Sequence, residues 1–573
     1  MRPVNRTFAP IAALVDELVR CGLRQAVTSP GSRNAPLILA LAEREEIQTV
    51  SVIDERAAGF VALGMARATG RPVAVTCTSG TAAANLHPAV AEAHQASAPL
   101  LVLTADRPPE LRDVGAGQSI DQLGLYGSAA KWFVEVGSHE PSRATAIHHR
   151  ALGCRAWFTC AGGRPGPVHL NFSLRGPLAP EPGQVDAAEW EGRPDGRPWT
   201  RLDGSTGAPD PRVVEELGDR LSGVAHGALV CGATPAPVAD AVTELARALG
   251  WPVLADPVSG VRCGPHDRAN VVAHYDVLAR VDAFTARHRP ELVLRVGEPP
   301  VSQSLRCWLE PVPQLVLDPH GTWHDPSRRA ERLVAGDPEP LLAALAESCR
   351  PAPDPAWLDA WRAADALVPG ALAAVGEPFE GAAASVIGAA LPDDALVWLS
   401  YSMPVRDVEA YLASSPKPLT FLAGHGANGI DGVVSSAAGA AIATGRPTCL
   451  LTGDVALVHD AGGLMAARRA GVELRILCLN NDGGGIFDFL PVARHADAAM
   501  YERHIATPHR TDLSQLATLA GLEHRVVATA GEAAAAFASP GLVELRTERA
   551  ANVAAHGAVL DNLAATLSRQ QRQ

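Results

Sequence analysis

The fold class is decided by Pro72-Val-Ala-Val-Thr-Cys-Thr78, the helical pattern over 81–96 and the run Pro99-Leu-Leu-Val-Leu-Thr104. Both runs are short and apolar, which is typical of strands buried on both faces of a sheet. A helix between two strands carries the chain back across the sheet, so the second strand pairs parallel to the first. This stretch therefore predicts a parallel sheet covered by helices.

The same alternation continues on both sides of this stretch. Other strand-like runs are Gln25–Ser29, Gln48–Ile53, Ala228–Cys231, Pro252–Ala255, Leu292–Val296, Gln314–Leu317, Ala395–Ser400, Leu419–Leu422, Thr448–Thr452, Leu474–Leu479 and Gly541–Arg546, and 56–69 is helical. Two stretches rich in Pro, Gly and Asp, about 176–211 and about 350–379, separate three blocks. We expect an α/β protein with three consecutive parallel-sheet domains, at 1–180, 209–350 and 380–573.

Composition excludes several classes of protein. The 573 residues include 62 Asp and Glu against 49 Lys and Arg, a formal charge of −13. This acidic balance argues against sequence-independent nucleic-acid binding, which needs a basic surface. No apolar stretch is long enough for a membrane span, and the N-terminus lacks a targeting pattern, so we expect a cytoplasmic protein.

The number and spacing of the lysines and cysteines exclude or disfavour further classes of protein. The only lysines are Lys131 and Lys417, and no Gly-Lys dipeptide occurs, so a P-loop is absent and a pyridoxal-phosphate enzyme is disfavoured. The ten cysteines form no Cys-x-x-Cys pair, which leaves zinc ribbons and thioredoxin-type sites unsupported. Several cysteines lie in apolar runs, which is typical of core residues. Their scattered positions indicate a protein of a reducing compartment.

Oxygen-bearing residues follow two predicted strands in the last block. Gly453-Asp454 ends one strand, and Asn480-Asn481-Asp482-Gly483-Gly484-Gly485 ends the next. Each motif alone is more simply a helix cap or a turn. Together, one strand–helix–strand unit apart, they predict a site where carboxylate and amide oxygens hold Mg²⁺ beside a diphosphate.

Charged residues also follow strands of the first block. Glu55 opens a predicted helix, where a carboxylate either caps the helix or faces a ligand cleft, and capping is the simpler interpretation of the residue alone. Arg33, in Ser29-Pro-Gly-Ser-Arg-Asn34, and Arg107, in Ala105-Asp-Arg-Pro-Pro-Glu-Leu111, lie where a ligand would bind. Each arginine alone is more simply a surface residue, but two together suit carboxylate recognition.

These residues carry a resemblance to a known family. The Gly-Asp and Asn-Asn pair resembles the thiamine-diphosphate signature. The whole chain is similar to the 2-succinyl-5-enolpyruvyl-6-hydroxy-3-cyclohexene-1-carboxylate synthases, the decarboxylating carboligases of menaquinone biosynthesis. The matching strings are Ser29–Arg33, Thr78–Leu86, Leu103–Leu111, Gly166–His169, Gly429–Gly432 and Asn480–Phe487. Thr104-Ala-Asp-Arg-Pro-Pro-Glu-Leu111 is the most specific of them, and the middle block matches weakly.

The resemblance implies pyrimidine-binding, central and diphosphate-binding domains in a homodimer or homotetramer, with active sites between subunits. It implies that Glu55 of one chain activates thiamine diphosphate held by another, and that Mg²⁺ or Mn²⁺ is bound by Asp454, Asn481 and the Gly483 carbonyl. The cofactor-binding positions that it implies are Glu55, Ser402, Asn428, Ile430, Gly453, Val455 and Asn481. The substrate-contacting positions that it implies are Ser32, Arg33, Arg107, Gln118, Ser402, Arg406 and His425. The implied reaction decarboxylates 2-oxoglutarate and adds the product to isochorismate.

Two positions depart from the family pattern, and three other interpretations remain open. His425 and Gln303 stand where the family usually has cationic residues. One alternative is another thiamine-diphosphate enzyme, such as an acetohydroxyacid synthase or a 2-oxoacid decarboxylase. A second is a nucleotide-binding oxidoreductase or binding protein, because the chain has three α/β units and Gly424-His-Gly-Ala-Asn-Gly429 fits Gly-x-Gly-x-x-Gly, although no suitably placed acidic residue follows. A third is a catalytically inactive homologue, motivated by the same two departures.

Overall fold

The computed structural model describes residues 7–179, 190–203, 208–235, 237–350 and 354–570. The predicted domain boundary at residue 180 lies outside these ranges. Parts of both predicted linkers, 180–189, 204–207 and 351–353, also lie outside them. The domain boundaries stay predictions.

The first sheet consists of six parallel strands in the order β2-β1-β3-β4-β6-β5. They are β1 (Gln25–Thr28), β2 (Gln48–Ser51), β3 (Val73–Cys77), β4 (Leu100–Asp106), β5 (Trp132–Val136) and β6 (Val168–Ser173). The helices are Phe8–Cys21, Ala35–Ala42, Glu55–Thr69, Thr81–Asn85, His87–Gln95 and Arg143–Ala161. The helix predicted over 81–96 is therefore two helices, because Pro88 lacks an N–H and favours the first turn of a new helix.

The second sheet has the order β12-β11-β10-β7-β8-β9. Its strands are β7 (Gly227–Cys231), β8 (Val253–Ala255), β9 (Val271–Val272), β10 (Leu292–Val296), β11 (Gln314–Asp318) and β12 (Ala330–Ala335). The helices of this region are Pro211–Ser222, Ala239–Leu249, Tyr275–Leu278, Asp282–Thr285, Gln303–Leu309 and Pro338–Ser348. Counted within the sheet, this is the doubly wound order 3-2-1-4-5-6.

The third sheet has the order β14-β13-β15-β16-β18-β17, which repeats the order of the first. Its strands are β13 (Leu396–Leu399), β14 (Thr420–Ala423), β15 (Thr448–Gly453), β16 (Leu474–Asn480), β17 (His524–Val527) and β18 (Gly541–Arg546). The longer helices after residue 354 are Pro355–Asp365, Glu380–Ala390, Met403–Tyr411, Val433–Thr444, Ala461–Arg469, Leu513–Ala520, Ala530–Phe537 and Arg549–Gln570. The shorter ones are Val368–Ala373, Asp454–His459, Val492–His495 and Ala498–Tyr501.

The three parallel sheets confirm the predicted α/β class. Successive residues of β3 explain why the strands are apolar throughout: Val73 and Val75 pack into one core cluster, whereas Ala74 packs into another on the opposite face. A strand covered by helices on both faces has no polar side, so its sequence does not alternate. The edge strands β5 and β12 are only partly buried, and the sequence did not reveal them.

The described residues form two compact units. One comprises those of Met1–Gly204, Gly424–Thr448 and His459–Leu474, and the other comprises those of Ser205–Ala423, Cys449–Val458 and Arg475–Gln573. Throughout the part of the chain that is described, no helix is both long and apolar enough to cross a membrane.

Close helix packing in the first unit fixes the helix that begins at Glu55. A Cβ atom on Gly64 of this helix would lie 2.0 Å from the carbonyl oxygen of Ser436 in the helix Val433–Thr444. Only glycine allows the two backbones to approach this closely. The position of Glu55 is therefore set by a helix pair that has no room for a larger side chain at residue 64.

Candidate active site

The carboxyl ends of β15 and β16 bring two predicted metal ligands together. These strands are neighbours in the third sheet, and Asp454 follows β15 directly as the first residue of a short helix. The amide of Gly483 donates a 2.8 Å hydrogen bond to Asp454 Oδ2. Asp454 is buried, so its carboxylate is held inside the protein by the loop that follows β16.

The loop after β16 is both a turn and a ligand-bearing segment. Asn480 Oδ1 accepts a hydrogen bond from the amide of Asp482, as the turn interpretation of Asn-Asn-Asp-Gly predicts. Gly483 has a φ of 147°, and a Cβ atom there would lie 2.5 Å from the Ala506 carbonyl oxygen. Glycine is required at this position for both reasons. The Gly483 carbonyl accepts one hydrogen bond, from Gly485, and keeps a second lone pair.

Asn481 is oriented by a buried carboxylate that the sequence analysis missed. Its amide nitrogen donates to Glu380 Oε1 over 2.9 Å, and Thr547 Oγ1 donates to the same oxygen over 2.7 Å. Burial, with the nearby Asp407 carboxylate, raises the pKa of Glu380 to about 7. Because Glu380 holds the nitrogen of the Asn481 amide, the amide oxygen must face the other way.

His509 is a second residue of this region that the sequence analysis missed. Its Nε2 lies 3.0 Å from Asp454 Oδ2, and its Nδ1 accepts from the amide of Thr511. The hydrogen bond to Asp454 raises the pKa of His509, despite partial burial. Neither Glu380 nor His509 lies in a recognisable motif. Glu380 is 101 residues from Asn481 in sequence, and His509 is 55 residues from Asp454.

These residues fit a divalent metal ion. Asn481 Oδ1 is buried, yet no donor among the described residues bonds to it. A buried acceptor without a partner is costly, and a cation would satisfy it. The oxygen atoms available are a carboxylate, an amide and a backbone carbonyl, which is the donor set that Mg²⁺ and Mn²⁺ prefer.

Glu55 is the first residue of its helix but does not cap it. The N-cap is Asp54, whose side chain accepts from the amides of Arg56 and Ala57. Glu55 is half-buried, and its carboxylate forms no hydrogen bond with any residue that the structure describes. The capping interpretation is therefore wrong for Glu55, because its neighbour performs that role.

The first unit also gathers the predicted cationic residues. Arg107 donates from Nε to the Gly117 carbonyl over 3.0 Å and from Nη2 to Gln118 Oε1 over 3.4 Å. Arg33 donates to the Leu174 carbonyl over 2.7 Å. Burial and the nearby Arg107 both lower the pKa of Arg33. Two guanidinium groups that repel each other create a positive potential suited to an anion. Ser32, next to Arg33, is exposed.

Ser402 and Arg406 form a local group in the second unit. Ser402 precedes the helix Met403–Tyr411 with a φ of 86°, an unusual conformation for a residue with a side chain. Arg406 donates to the Ser402 carbonyl and lies over the Tyr401 ring at 5.9 Å. Both residues are half-buried, as are Gly453 and Val455 on either side of Asp454.

The segment 424–430 contains His425, Asn428 and Ile430 and belongs to the first unit. The carboxylate of Glu92 accepts from the amides of Gly426 and Ala427 over 2.8 and 2.6 Å. These amides are therefore not available to a dinucleotide, which disfavours the Gly-x-Gly-x-x-Gly interpretation. Asn428 has a φ of 63° and is exposed, whereas His425 and Ile430 are half-buried.

Comparison with known proteins defines the class. Residues 11–125 match the thiamine pyrophosphate enzyme, N-terminal TPP binding domain, and residues 405–540 match the thiamine pyrophosphate enzyme, C-terminal TPP binding domain. The chain is therefore a thiamine-diphosphate-dependent enzyme, thiamine pyrophosphate being the same cofactor. The second match contains Asp454, Asn481 and Gly483, and the first contains Glu55, Arg33 and Arg107.

Relatives with assigned names define the family. The 2-succinyl-5-enolpyruvyl-6-hydroxy-3-cyclohexene-1-carboxylate synthase of Geobacillus kaustophilus (strain HTA426) is 42% identical, and the match covers 97% of this chain and 98% of the relative. Proteins of the same name from Myxococcus xanthus (strain DK1622) and Chloroflexus aurantiacus (strain ATCC 29366 / DSM 635 / J-10-fl) are 40% and 39% identical. These matches cover 97% and 95% of this chain, and 97% and 94% of the relatives. The chain belongs to this synthase family, as its sequence motifs predicted.

Proposed function

We propose that this protein decarboxylates 2-oxoglutarate and joins the resulting four-carbon unit to isochorismate, forming 2-succinyl-5-enolpyruvyl-6-hydroxy-3-cyclohexene-1-carboxylate and CO₂ in menaquinone biosynthesis. The observation that carries the proposal is the buried oxygen site of Asp454, Asn481 and Gly483 in a chain 42% identical to a synthase of that name over almost its full length.

Asp454, the Asn481 amide oxygen and the Gly483 carbonyl would hold Mg²⁺ or Mn²⁺, and the ion would hold the diphosphate of the cofactor. Thiamine diphosphate, when bound, supplies a nucleophilic carbon and an electron sink for decarboxylation. Contacts to the cofactor would come from residues near the ion and from two other segments of the chain, namely Gly453, Val455, Ser402, Asn428 and Ile430. The half-buried Ile430 would provide an apolar surface against the cofactor.

Glu55 would promote the proton loss that starts the reaction. Its carboxylate has no partner among the described residues, so it is available to a ligand, and Asp54 carries the capping role. A hydrogen bond from Glu55 to a ring nitrogen of the cofactor pyrimidine would promote loss of the proton from the reacting carbon. This is general acid–base catalysis by a positioned carboxylate.

Arginines would bind the carboxylates of both substrates. Arg33 and Arg107 already create a positive region in the first unit, where Ser32 and Gln118 add polar contacts.

Arg406 and His425 would add further contacts to the substrates. Fixed positive charge in a site with little water stabilises an anionic transition state without reorganisation. Gln303, where the family usually has a cation, would not contribute charge.

The active sites would lie between two subunits of a homo-oligomer, so that Glu55 of one chain serves the metal site of another. Family resemblance supports this arrangement. Mixing the inactive variants Glu55→Gln and Asp454→Asn after joint refolding tests it. A random mixture of dimers should recover about a quarter of wild-type activity, because half of the dimers are mixed and each holds one intact site. No recovery, with mixed dimers demonstrated by mass, would contradict the shared site.

The reaction itself is tested by incubating the purified protein with thiamine diphosphate, Mg²⁺, 2-oxoglutarate and isochorismate, and by following CO₂ and product mass. We expect CO₂ release and the product mass only when both substrates and the cofactor are present. Efficient turnover of pyruvate instead would support an acetohydroxyacid synthase or a 2-oxoacid decarboxylase. The absence of turnover by a folded protein that binds the cofactor would support an inactive homologue.

A further inference from the structure

A cluster of two thiols and a carboxylate contains none of the residues proposed to bind the cofactor, its metal ion or the substrates. Glu17 and Cys21 are one turn apart at the end of the helix Phe8–Cys21, so they lie on the same helix face. Cys154 lies on the helix Arg143–Ala161, which packs against the first. Glu17 and Cys154 are buried, and Cys21 is half-buried.

Two distances in this cluster match those of a tetrahedral metal site. The two sulfur atoms are 3.7 Å apart, and Cys154 Sγ lies 3.5 Å from Glu17 Oε1. Ligand atoms of all three residues lie within 4.8 Å of one another. Bonds of about 2.3 Å to sulfur and about 2.0 Å to oxygen, at a tetrahedral angle, separate two sulfurs by about 3.8 Å and sulfur from oxygen by about 3.5 Å.

Neighbouring groups orient the carboxylate and the sulfur. Arg150, itself buried, holds Glu17 Oε2 over 2.7 Å, which leaves Oε1 on the side of the thiols. The amide of Thr200 donates to Cys154 Sγ over 3.3 Å, and the amide of Trp199 donates to Glu17 Oε1. Donors of this kind orient the ligands of metal sites and stabilise their negative charge. The guanidinium of Arg150 would also balance the charge left by one carboxylate, two thiolates and a divalent ion.

We propose that Glu17, Cys21 and Cys154 bind a single Zn²⁺-class metal ion, with a fourth position open to water. Binding would release the two thiol protons, so that two S–H bonds are replaced by two metal–sulfur bonds. Sulfur ligands select a soft ion and distinguish this site from the all-oxygen site at Asp454. In a reducing compartment, two thiols in contact are better suited to a metal than to a disulfide. The ion would fix the end of the first helix to the helix that contains Cys154.

Cobalt substitution tests the proposal on the full chain. The metal-free, reduced protein is titrated with Co²⁺ in the presence of excess Mg²⁺ and thiamine diphosphate. We expect one equivalent to produce thiolate-to-cobalt absorption in the near ultraviolet and the visible bands of tetrahedral cobalt. Only sulfur ligands give the first signal, so occupation of the Asp454 site does not imitate it. Added Zn²⁺ should remove both signals and raise the melting temperature by several degrees.

Variants identify the ligands. Cys21→Ser and Cys154→Ser should each weaken cobalt binding by at least about 100-fold. Cys307→Ser, which changes an exposed cysteine in the helix Gln303–Leu309, should leave it unchanged. Cys21 ends its helix and is half-buried, so Cys21→Ala should fold even if a Cys154 variant does not, and it should also lose the signal.

Three results would overturn the proposal. The first is the absence of thiolate-to-cobalt absorption in the reduced wild-type protein. The second is absorption that survives both Cys21→Ala and Cys21→Ser. The third is a Cys21–Cys154 disulfide, found by mass spectrometry in protein that was isolated without reductant and contains no metal at this site. Zinc content and catalytic turnover are separate readouts, so this test does not depend on the proposed reaction.

Discussion

The first and third sheets have the same strand order, but their carboxyl ends carry different chemistry. Beyond the third sheet, three kinds of oxygen atom follow two adjacent strands, on Asp454, Asn481 and Gly483. Beyond the first sheet lie Arg33, Arg107 and the carboxylate of Glu55, which has no hydrogen-bond partner among the described residues. One topology therefore offers the same ligand-binding edge twice, and the loop residues decide whether that edge suits a cation or an anion.

The pKa values of two histidines also differ between the first and third sheets. Burial lowers the pKa of His149, in the region of the first sheet (the first region), to about 4. A hydrogen bond to Asp454 raises the pKa of His509, in the region of the third sheet (the third region). Burial of His149 disfavours a positive charge on its ring, whereas the carboxylate of Asp454 favours one on His509.

The largest expected effect comes from Glu55→Gln, which removes the proposed proton-transfer carboxylate of the first region. We expect kcat to fall about 10²–10⁴-fold, because a positioned acid–base group contributes that much. Cofactor binding, measured by fluorescence titration, and the melting temperature should stay close to wild type.

The neighbouring residue gives a matched control. Asp54→Ala removes the helix cap and should cost about 1 kcal/mol of stability while preserving turnover. If Asp54→Ala loses activity and Glu55→Gln keeps it, the roles assigned to the two carboxylates are reversed.

Asp454→Asn tests the third region. It keeps the shape of the side chain but removes the negative charge from the proposed metal site, so we expect Mn²⁺ affinity to fall at least about 100-fold. Titration followed by electron paramagnetic resonance measures this. Asp482→Asn changes a half-exposed carboxylate in the same loop and should retain affinity. Equal losses of Mn²⁺ affinity in both variants would indicate that the overall negative charge near the loop binds the ion, and that Asp454 is not a defined ligand.

Arg107→Lys tests the anion-binding role of the first region with a smaller effect. Lysine keeps the charge but loses the paired geometry of the guanidinium. We expect KM for the substrate acids to rise about 10- to 100-fold, since a hydrogen bond between charged groups contributes about 1.5–3 kcal/mol. Steady-state kinetics on both substrates measures this, and the exposed Arg71→Lys is the control. An unchanged KM would place substrate binding elsewhere.

The smallest effect concerns His149 and is seen in stability. Its pKa in the folded protein, about 4, lies below the ordinary 6.5, so folding favours the neutral ring. Above pH 6.5 the ring is neutral in both the folded and the unfolded protein, so protonation of His149 does not reduce stability there. As the pH falls from 6.5 towards 4, the unfolded protein binds the proton more readily than the folded protein, and the free energy of unfolding falls by up to about 3 kcal/mol. Urea unfolding of the wild type and of His149→Gln at pH 7 and pH 4.5 should show a shallower loss in the variant. His148→Gln changes an exposed neighbour and should retain most of the loss of stability between pH 7 and pH 4.5. An equal loss in all three proteins would contradict the assignment of this pH dependence to His149.

Most of the central strands could be predicted because burial on both faces makes them continuous apolar runs, but the buried strand β6 was missed because His169 and Asn171 interrupt its apolar sequence. β10 and β18 begin and end at the predicted residues. The edge strands β5, β9, β12 and β17 were also missed. β5, β12 and β17 are partly exposed and carry polar residues, so they resemble loops, and β9 has only two residues. Pro88 could have indicated the break between the two helices that replace the one predicted over 81–96.

The sequence by itself determined the class of fold, the family and the residues that follow each strand, because strand–helix alternation and strand-end motifs are local patterns. Only the tertiary structure assigned the helix cap to Asp54 instead of Glu55, oriented Asn481 through Glu380, and placed His509 on Asp454. It alone brought Cys21 and Cys154 into contact, 133 residues apart. Such pairings depend on how helices and loops pack in space, and sequence spacing carries no signal for them.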